Sequence, residues 1–329
     1  MRFGSVPLAE AAGAILAHGV PVASLSKGIV LGDGHLETLA AFGLLNVSVV
    51  RRGDNDIPED DAATQVAEAL VPNPERQGLY LSKVKLGNIS IRAHRAGLLE
   101  LDVARLNALN RIDPRIALAT LPNLHRVTAG VVLANINVMS YGVSRASLGR
   151  VCDAVAGGLP AVNVRKAKLT RATLIETHHA GARHHPNGRR SLEERLDRLG
   201  CTLQEVIDVP HDTSTAMVEA LSHAQGQVIF ILTAAATLDE QDIAPCALRA
   251  VGGDVLHFGI PVNPGHLLFT GKIGDVPVIG LPACARALGM TGADLVMERI
   301  LCGLPCGSDV IGSMGVGGLL SSLPETNND

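Results

Sequence analysis

The sequence predicts an α/β protein with a doubly wound, mostly parallel sheet in its C-terminal domain, preceded by a smaller N-terminal α/β unit and a middle β-rich region. Three observations predict it. From residue 166 onward, short apolar runs such as Val228-Ile229-Phe230-Ile231-Leu232 alternate with longer helix-prone stretches. The composition, 47% hydrophobic with 35 glycines and 2% aromatic residues, suits a fold packed with small aliphatics. Loops bearing small residues, acids and prolines follow the apolar runs, and such loops gather the ligand site at the carboxyl ends of a parallel sheet.

At 329 residues the chain is long enough for two or three domains. The pattern divides it at 1–76, 77–165 and 166–329. In the first part, Pro7 to Leu16 reads as a helix with Ser5 as its cap. A helical stretch through Leu36, Leu39 and Phe42 stops at Gly43, and Val47-Ser48-Val49-Val50 alternates as a strand. A linker rich in acids and then prolines, Asp54 to Asp61 and Pro72-Asn73-Pro74, carries a helix from Ala62 to Leu70. In the middle part, Ile89-Ser90-Ile91 and Ile116 to Leu121 read as strands and Val103 to Leu109 as a helix. No catalytic constellation stands out there, and its apolar strands are read as a spacer or a dimer-forming surface.

The third part is more sharply patterned. Strands are expected at Ala172–Glu176, Leu203–Val209 and Val228–Leu232, with helices at Thr215–Ala224 and Ile243–Val251. Ser191 followed by Glu194 forms a capping-box pattern that would start a helix at Ser191. Gly274-Asp275 joins a hairpin of Leu267–Gly271 and Val276–Gly280, and a helix around Ala287 to Leu301 closes the domain.

Charge and targeting narrow the classes. A net charge of −4 gives no reason to expect nucleic-acid binding. No apolar run is long enough for a membrane span, and Met1-Arg2-Phe3-Gly4 opens no charged-then-apolar leader, so a cytoplasmic location is expected. The six cysteines are scattered, which reads as reduced packing thiols. The nucleotide-binding Gly-x-x-x-x-Gly-Lys-Ser/Thr pattern is missing from the sequence.

Candidate site residues sit after the strands. Asp242, at a helix start, is either an acid favoured by the helix dipole or a carboxylate that holds Mg²⁺ or orients an oxyanion. Asp239, three residues earlier, faces the same side if the helix starts early. Asp212 is either a helix cap or a second site acid, and Thr237 either a local turn bond or a donor to a ligand. The loop from His178 to Arg190 carries Arg183, Arg189 and Arg190 and is either a solvated loop or an anion grip at a helix start; its scattered histidines fit a metal less well than either.

The succession Asp242, Pro264-Gly265 and Gly280-Leu281-Pro282 resembles molybdopterin-binding proteins, molybdopterin molybdotransferases among them. Their motifs run Thr-Thr-Gly-Gly-x-Ser-x-Gly-x-x-Asp, Pro-Gly-Lys-Pro, then Gly-Leu-Pro-Gly-Asn-Pro. The opening Pro7 to Leu16 stretch and the unit ending at Val49 resemble pieces of the same family in a rearranged order. Departures are plain: Ala234-Ala235 replace the paired glycines, His266 replaces the lysine, and Ala283-Cys284-Ala285 replace Gly-Asn-Pro with Arg286 as the nearby cation. The strand ending at Thr177 is followed by His178-His179 where the family has Gly-Asp.

The resemblance implies a role in molybdenum-cofactor biosynthesis or delivery. Asp242 and Asp212 would be catalytic, with Asp242 and Asp239 on Mg²⁺ and molybdate as substrate. Molybdopterin or its nucleotide form would be held by Thr177, Arg183, Arg189, Arg190, Thr237, Pro264, Gly265, His266, Pro282 and Arg286. A carrier that passes finished cofactor to a molybdenum enzyme is the alternative to a molybdotransferase. The partners implied are the pterin, a molybdenum enzyme or another biosynthetic protein, and a second copy of the chain in a homodimer.

Overall fold

The computed structural model describes residues 1–179 and 187–320. The chain forms two compact units, one of residues 1–95 and 99–164, the other of 96–98 and the chain from Arg165 onward.

The first unit opens with an antiparallel sheet in the order Arg2–Pro7, Asn46–Arg51, Ile15–Leu16. The helix expected from Pro7 is not formed. Ser5 lies in the first strand opposite Ser48, and only a short 3-10 turn, Leu8–Glu10, precedes the strand at Ile15. Pairing with a strand more than forty residues away overrides the local helix propensity. The helix Asp33–Ala41 does form, and Gly43 ends it with φ of 76°.

A second core in this unit joins the helix Glu59–Leu70 to an antiparallel sheet ordered Leu79–Leu81, Asn88–Ala93, Val132–Val138, Ile116–Thr120. Ala62, Ala63, Val66, Ala67 and Leu70 of that helix are buried with Ile89, Ile91, Leu118 and Ile136. Ile89, Ile91, Leu118 and Ile136 therefore pack into the unit's own core, while Tyr80 of the first strand stays exposed. Ser90 and Asn135 alternate with them and hydrogen-bond to each other across the sheet at 2.7 Å.

The second unit is built on a six-stranded mixed sheet. Its strands are β1 (Arg171–His178), β2 (Thr202–Pro210), β3 (Val228–Leu232), β4 (Asp254–Phe258), β5 (Phe269–Ile273) and β6 (Val276–Gly280), in spatial order β2-β1-β3-β6-β5-β4. The β1–β2, β1–β3 and β3–β6 pairings are parallel, whereas β5 runs antiparallel to both β4 and β6. Helices α1 (Gly188–Asp197), α2 (Ser214–His223), α3 (Ile243–Ala250), α4 (Gly292–Leu301) and α5 (Ser308–Gly312) complete it.

Side-chain alternation sorts these helices onto two faces. Leu174, Phe230, Leu232 and Ile279 pack with Leu192 and Leu196 of α1 and Val296, Met297 and Leu301 of α4. Their sequence neighbours Ile175, Ile229, Ile231 and Val278 point the other way, against Met217, Ala220 and Leu221 of α2 and Ala244, Ala247 and Leu248 of α3. All five side chains of β3 are buried, and each contributes roughly 1.5–3 kcal/mol of hydrophobic stabilisation.

Two local expectations change here. The helix α1 begins at Gly188, so Ser191 is not its cap; the Ser191 hydroxyl instead donates to the carbonyls of Ala285 and Ala287. The closing helix begins at Gly292 rather than near Ala287, with Thr291 and Asp294 forming the reciprocal cap. At the β5–β6 hairpin, Phe269 faces Gly280, where a Cβ would lie 1.9 Å from the Phe269 ring.

Candidate functional site

The carboxyl ends of β1 and β3, with the segment after β6, bring together a group of polar residues. The Thr177 hydroxyl oxygen at the end of β1 accepts the Ala234 amide at 2.7 Å and lies 3.0 Å from His211 Nδ1. Beyond β3, the hydroxyls of Thr233 and Thr237 meet at 3.3 Å. Thr177, Thr233 and Thr237 are all buried, so their hydroxyls need partners inside the protein or on a ligand.

Arg286 supplies the cation. It sits on the 3-10 turn Ala283–Arg286 that follows Pro282, and its Nη2 donates to the Thr233 carbonyl at 2.7 Å. Burial pushes the Arg286 pKa below its ordinary value, and the charge of Glu176 opposes that effect. Glu176, itself buried at the end of β1, lies against the first residue of α1, where a Cβ on Gly188 would approach its Oε1 to 2.7 Å. A carboxylate there is favoured by the amino end of the helix dipole.

The acids singled out in the sequence lie at helix starts and in the loops that lead to them. Asp242 caps α3: its Oδ1 accepts the Ile243 amide at 2.7 Å and its Oδ2 the Leu238 amide at 3.2 Å. Asp239 accepts the Gln241 amide at 2.8 Å and is exposed. Among the described residues, no group of three or more His, Cys, Asp and Glu side chains is arranged to hold a metal. Two carboxylates held by backbone amides, Asp239 and Asp242, are what this loop offers a cation, and Mg²⁺ commonly takes one or two carboxylates together with phosphate and water oxygens.

Asp212 is exposed beyond β2, with Oδ1 3.9 Å from His179 Nδ1, and Thr213 rather than Asp212 occupies the cap position of α2. The His179 and His211 rings meet edge to face at 4.8 Å. Arg189 and Arg190 lie in the first turn of α1 and pair with Glu193 and Glu194 one turn on, at 2.8 and 3.0 Å. Arg183 falls outside the described residues.

Asn263-Pro264 is a cis peptide, and Gly265 follows with φ of 128°. This turn abuts the start of α4: the Gly292 amide donates to the Pro264 carbonyl at 2.8 Å, and a Cβ on Gly265 would fall 2.5 Å from the Gly292 nitrogen. His266 is exposed. Among the described residues, Asp212, His266, Arg189 and Arg190 make no hydrogen bond to the group of Thr177, Thr233, Thr237 and Arg286.

His211, Thr233 and Glu176, which the fold brings to these strand ends, are not among the residues singled out in the sequence. Glu176 carried a readable signal, a charged residue closing the apolar run Ala172 to Ile175. His211 carried none, because its partner Thr177 lies 34 positions away.

No protein-family model and no curated protein matches the chain. Solved structures similar to it include a molybdopterin biosynthesis protein from Mycobacterium abscessus, at 10% identity and TM-score 0.29, covering 41% of this chain and 92% of that one. Two structures of the molybdopterin biosynthesis protein MoeA from Pyrococcus horikoshii align over 92% of this chain. They have 13% and 12% identity, cover 74% and 76% of those chains, and give TM-scores of 0.27 and 0.28.

Proposed function

We propose that the second unit binds an anionic pterin of the molybdopterin type at the carboxyl ends of β1 and β3. One observation carries the reading: three buried hydroxyls and the Arg286 guanidinium are grouped there, with Arg286 fixed to the Thr233 carbonyl. An oriented guanidinium with donors to spare suits a phosphate, and buried hydroxyls suit the polar edge of a heterocycle. The sequence resemblance through Asp242, Pro264-Gly265 and Gly280-Leu281-Pro282 favours molybdopterin over another anion. Arg183, Arg189, Arg190 and His266 extend the proposal toward a phosphate or the nucleotide form.

The test is the ligand retained on purification from a host that makes the cofactor, read by mass spectrometry and pterin fluorescence. Near-stoichiometric pterin phosphate that falls sharply in Arg286→Ala supports the reading. Wild-type protein that emerges empty, and stays empty when pterin phosphate is added, rejects it.

A carrier that hands finished cofactor to a molybdenum enzyme is favoured over a Mg²⁺-dependent molybdotransferase. The observation behind this choice is that both oxygens of Asp242 and one of Asp239 accept backbone amides. Release of a nucleotide product from the nucleotide form of molybdopterin, dependent on Mg²⁺ and molybdate, would reverse the choice.

A further inference from the structure

The Arg195 guanidinium is almost completely buried, and it is the centre of a network joining three segments of the second unit. From α1, Nε donates to Asp294 Oδ1 on α4 at 2.9 Å. Its Nη1 donates to the Ala285 carbonyl at 3.0 Å, and Nη2 donates to the carbonyls of Ala287 and Gly289, each at 2.9 Å. Ser191, one turn earlier on α1, shares its single hydroxyl proton between the carbonyls of Ala285 and Ala287, at 2.8 and 2.9 Å, and its oxygen accepts from Nη1 of Arg195. On the far side, Asp294 Oδ2 accepts the amide and hydroxyl of Thr291 at 2.8 and 3.0 Å.

The carbonyls being held are those of residues 285, 287 and 289, and Arg286 lies between the first two. The last carbonyls of the 3-10 turn Ala283–Arg286 and those of the residues after it have no helical partner and would otherwise be left to water. Here a guanidinium fork and a hydroxyl satisfy them from inside, which fixes the backbone on both sides of Arg286. The buried charge on Arg195 is itself balanced by Asp294, whose place is set by the start of α4. A lysine at 195 would keep the charge but present no planar fork to several carbonyls at once.

We infer that Arg195 and Ser191 are positioning residues for the ligand site: through the carbonyls of Ala285, Ala287 and Gly289 they set where the Arg286 guanidinium stands relative to Thr233. The ligand part of this inference rests on the pterin-binding reading; the hold on Arg286 does not.

Two measurements on the full chain separate them. Modification of Arg286 by phenylglyoxal, followed by peptide mass spectrometry with no ligand present, reads the hold directly. Ser191→Ala removes one hydroxyl from a folded core and should raise the modification rate several-fold, and Arg195→Lys should raise it further. A rate unchanged in Ser191→Ala overturns the inference even if Arg195→Lys fails to fold.

The second measurement is titration with a pterin monophosphate. Ser191→Ala should weaken binding about fivefold, the scale of one neutral hydrogen bond, and should cost nothing more once Arg286→Ala is present. Equal weakening in both backgrounds would mean that Ser191 acts on binding independently of Arg286, which overturns the positioning role. If wild type binds no pterin phosphate, the pterin reading fails, and the modification rates still decide whether the clamp holds Arg286.

Discussion

Thr177 and Ala234 tie the ends of two parallel strands together: the hydroxyl oxygen of Thr177 accepts the Ala234 amide at 2.7 Å. Thr177→Val keeps the side-chain shape but removes the acceptor from that amide and from the contact with His211. A loss of about 1–3 kcal/mol is expected, read as a lower urea midpoint, whereas Thr177→Ser should retain most of the wild-type stability. Equal stability of the valine and serine variants would show that the bond contributes nothing.

Acid should weaken the first unit at a defined place. Arg115 donates to both oxygens of the buried Asp113 carboxylate, at 2.9 and 2.7 Å. These hydrogen bonds lower its pKa from the ordinary 3.8 to about 2, against the opposing effect of burial. Because the folded-state value is depressed, the stabilisation is fully present above 3.8 and is lost as pH falls through about 2. It amounts to about 2 kcal/mol. Denaturant midpoints measured between these pH values should fall more steeply for wild type than for Asp113→Asn.

Asp242 divides a cap from a catalyst. Asparagine caps helices about as well as aspartate, so Asp242→Asn should leave thermal stability nearly unchanged, while Asp242→Ala should lose about 1 kcal/mol. Under the carrier reading, Asp242→Asn also retains pterin binding. Loss of a Mg²⁺-dependent product in a fully stable Asp242→Asn variant would instead identify a catalytic carboxylate.

Gly265 holds a left-handed backbone against the first residue of α4. In Gly265→Ala both the positive φ and the approach to Gly292 become unfavourable, and destabilisation of about 1–3 kcal/mol is expected. Hydrogen exchange should quicken at the Gly292 amide, which donates to the Pro264 carbonyl. Protection unchanged from wild type would show that the turn accommodates a side chain.

Much of the second unit was legible because its signals are local. The run Val228 to Leu232 coincides with β3, and Gly274-Asp275 forms the turn between β5 and β6. What escaped depends on partners distant in sequence. The Pro7 stretch has helical spacing, yet the neighbouring strand from Arg2 pairs with residues 46 to 51. Ser191 and Glu194 have the spacing of a cap, but Ser191 faces carbonyls 94 and 96 positions away, and Glu194 pairs with Arg190. Asp242 illustrates a different gap: one aspartate at a helix start fits both a cap and a metal ligand, and its partners, the Leu238 and Ile243 amides, cannot be read from its spacing alone.

The Gly280–Phe269 pair bears on how a short motif is interpreted. Gly280 opens the Gly280-Leu281-Pro282 signature, yet the space its side chain would fill is taken by a buried aromatic ring on the neighbouring strand. The two positions are thus a coupled pair under mutation: alanine at 280 becomes tolerable when 269 shrinks, and each change alone carries a packing penalty. In a library randomised at both sites, selection for folding alone would retain the glycine together with phenylalanine. That glycine would persist in a variant that had lost every ligand, making it a marker of packing rather than of activity.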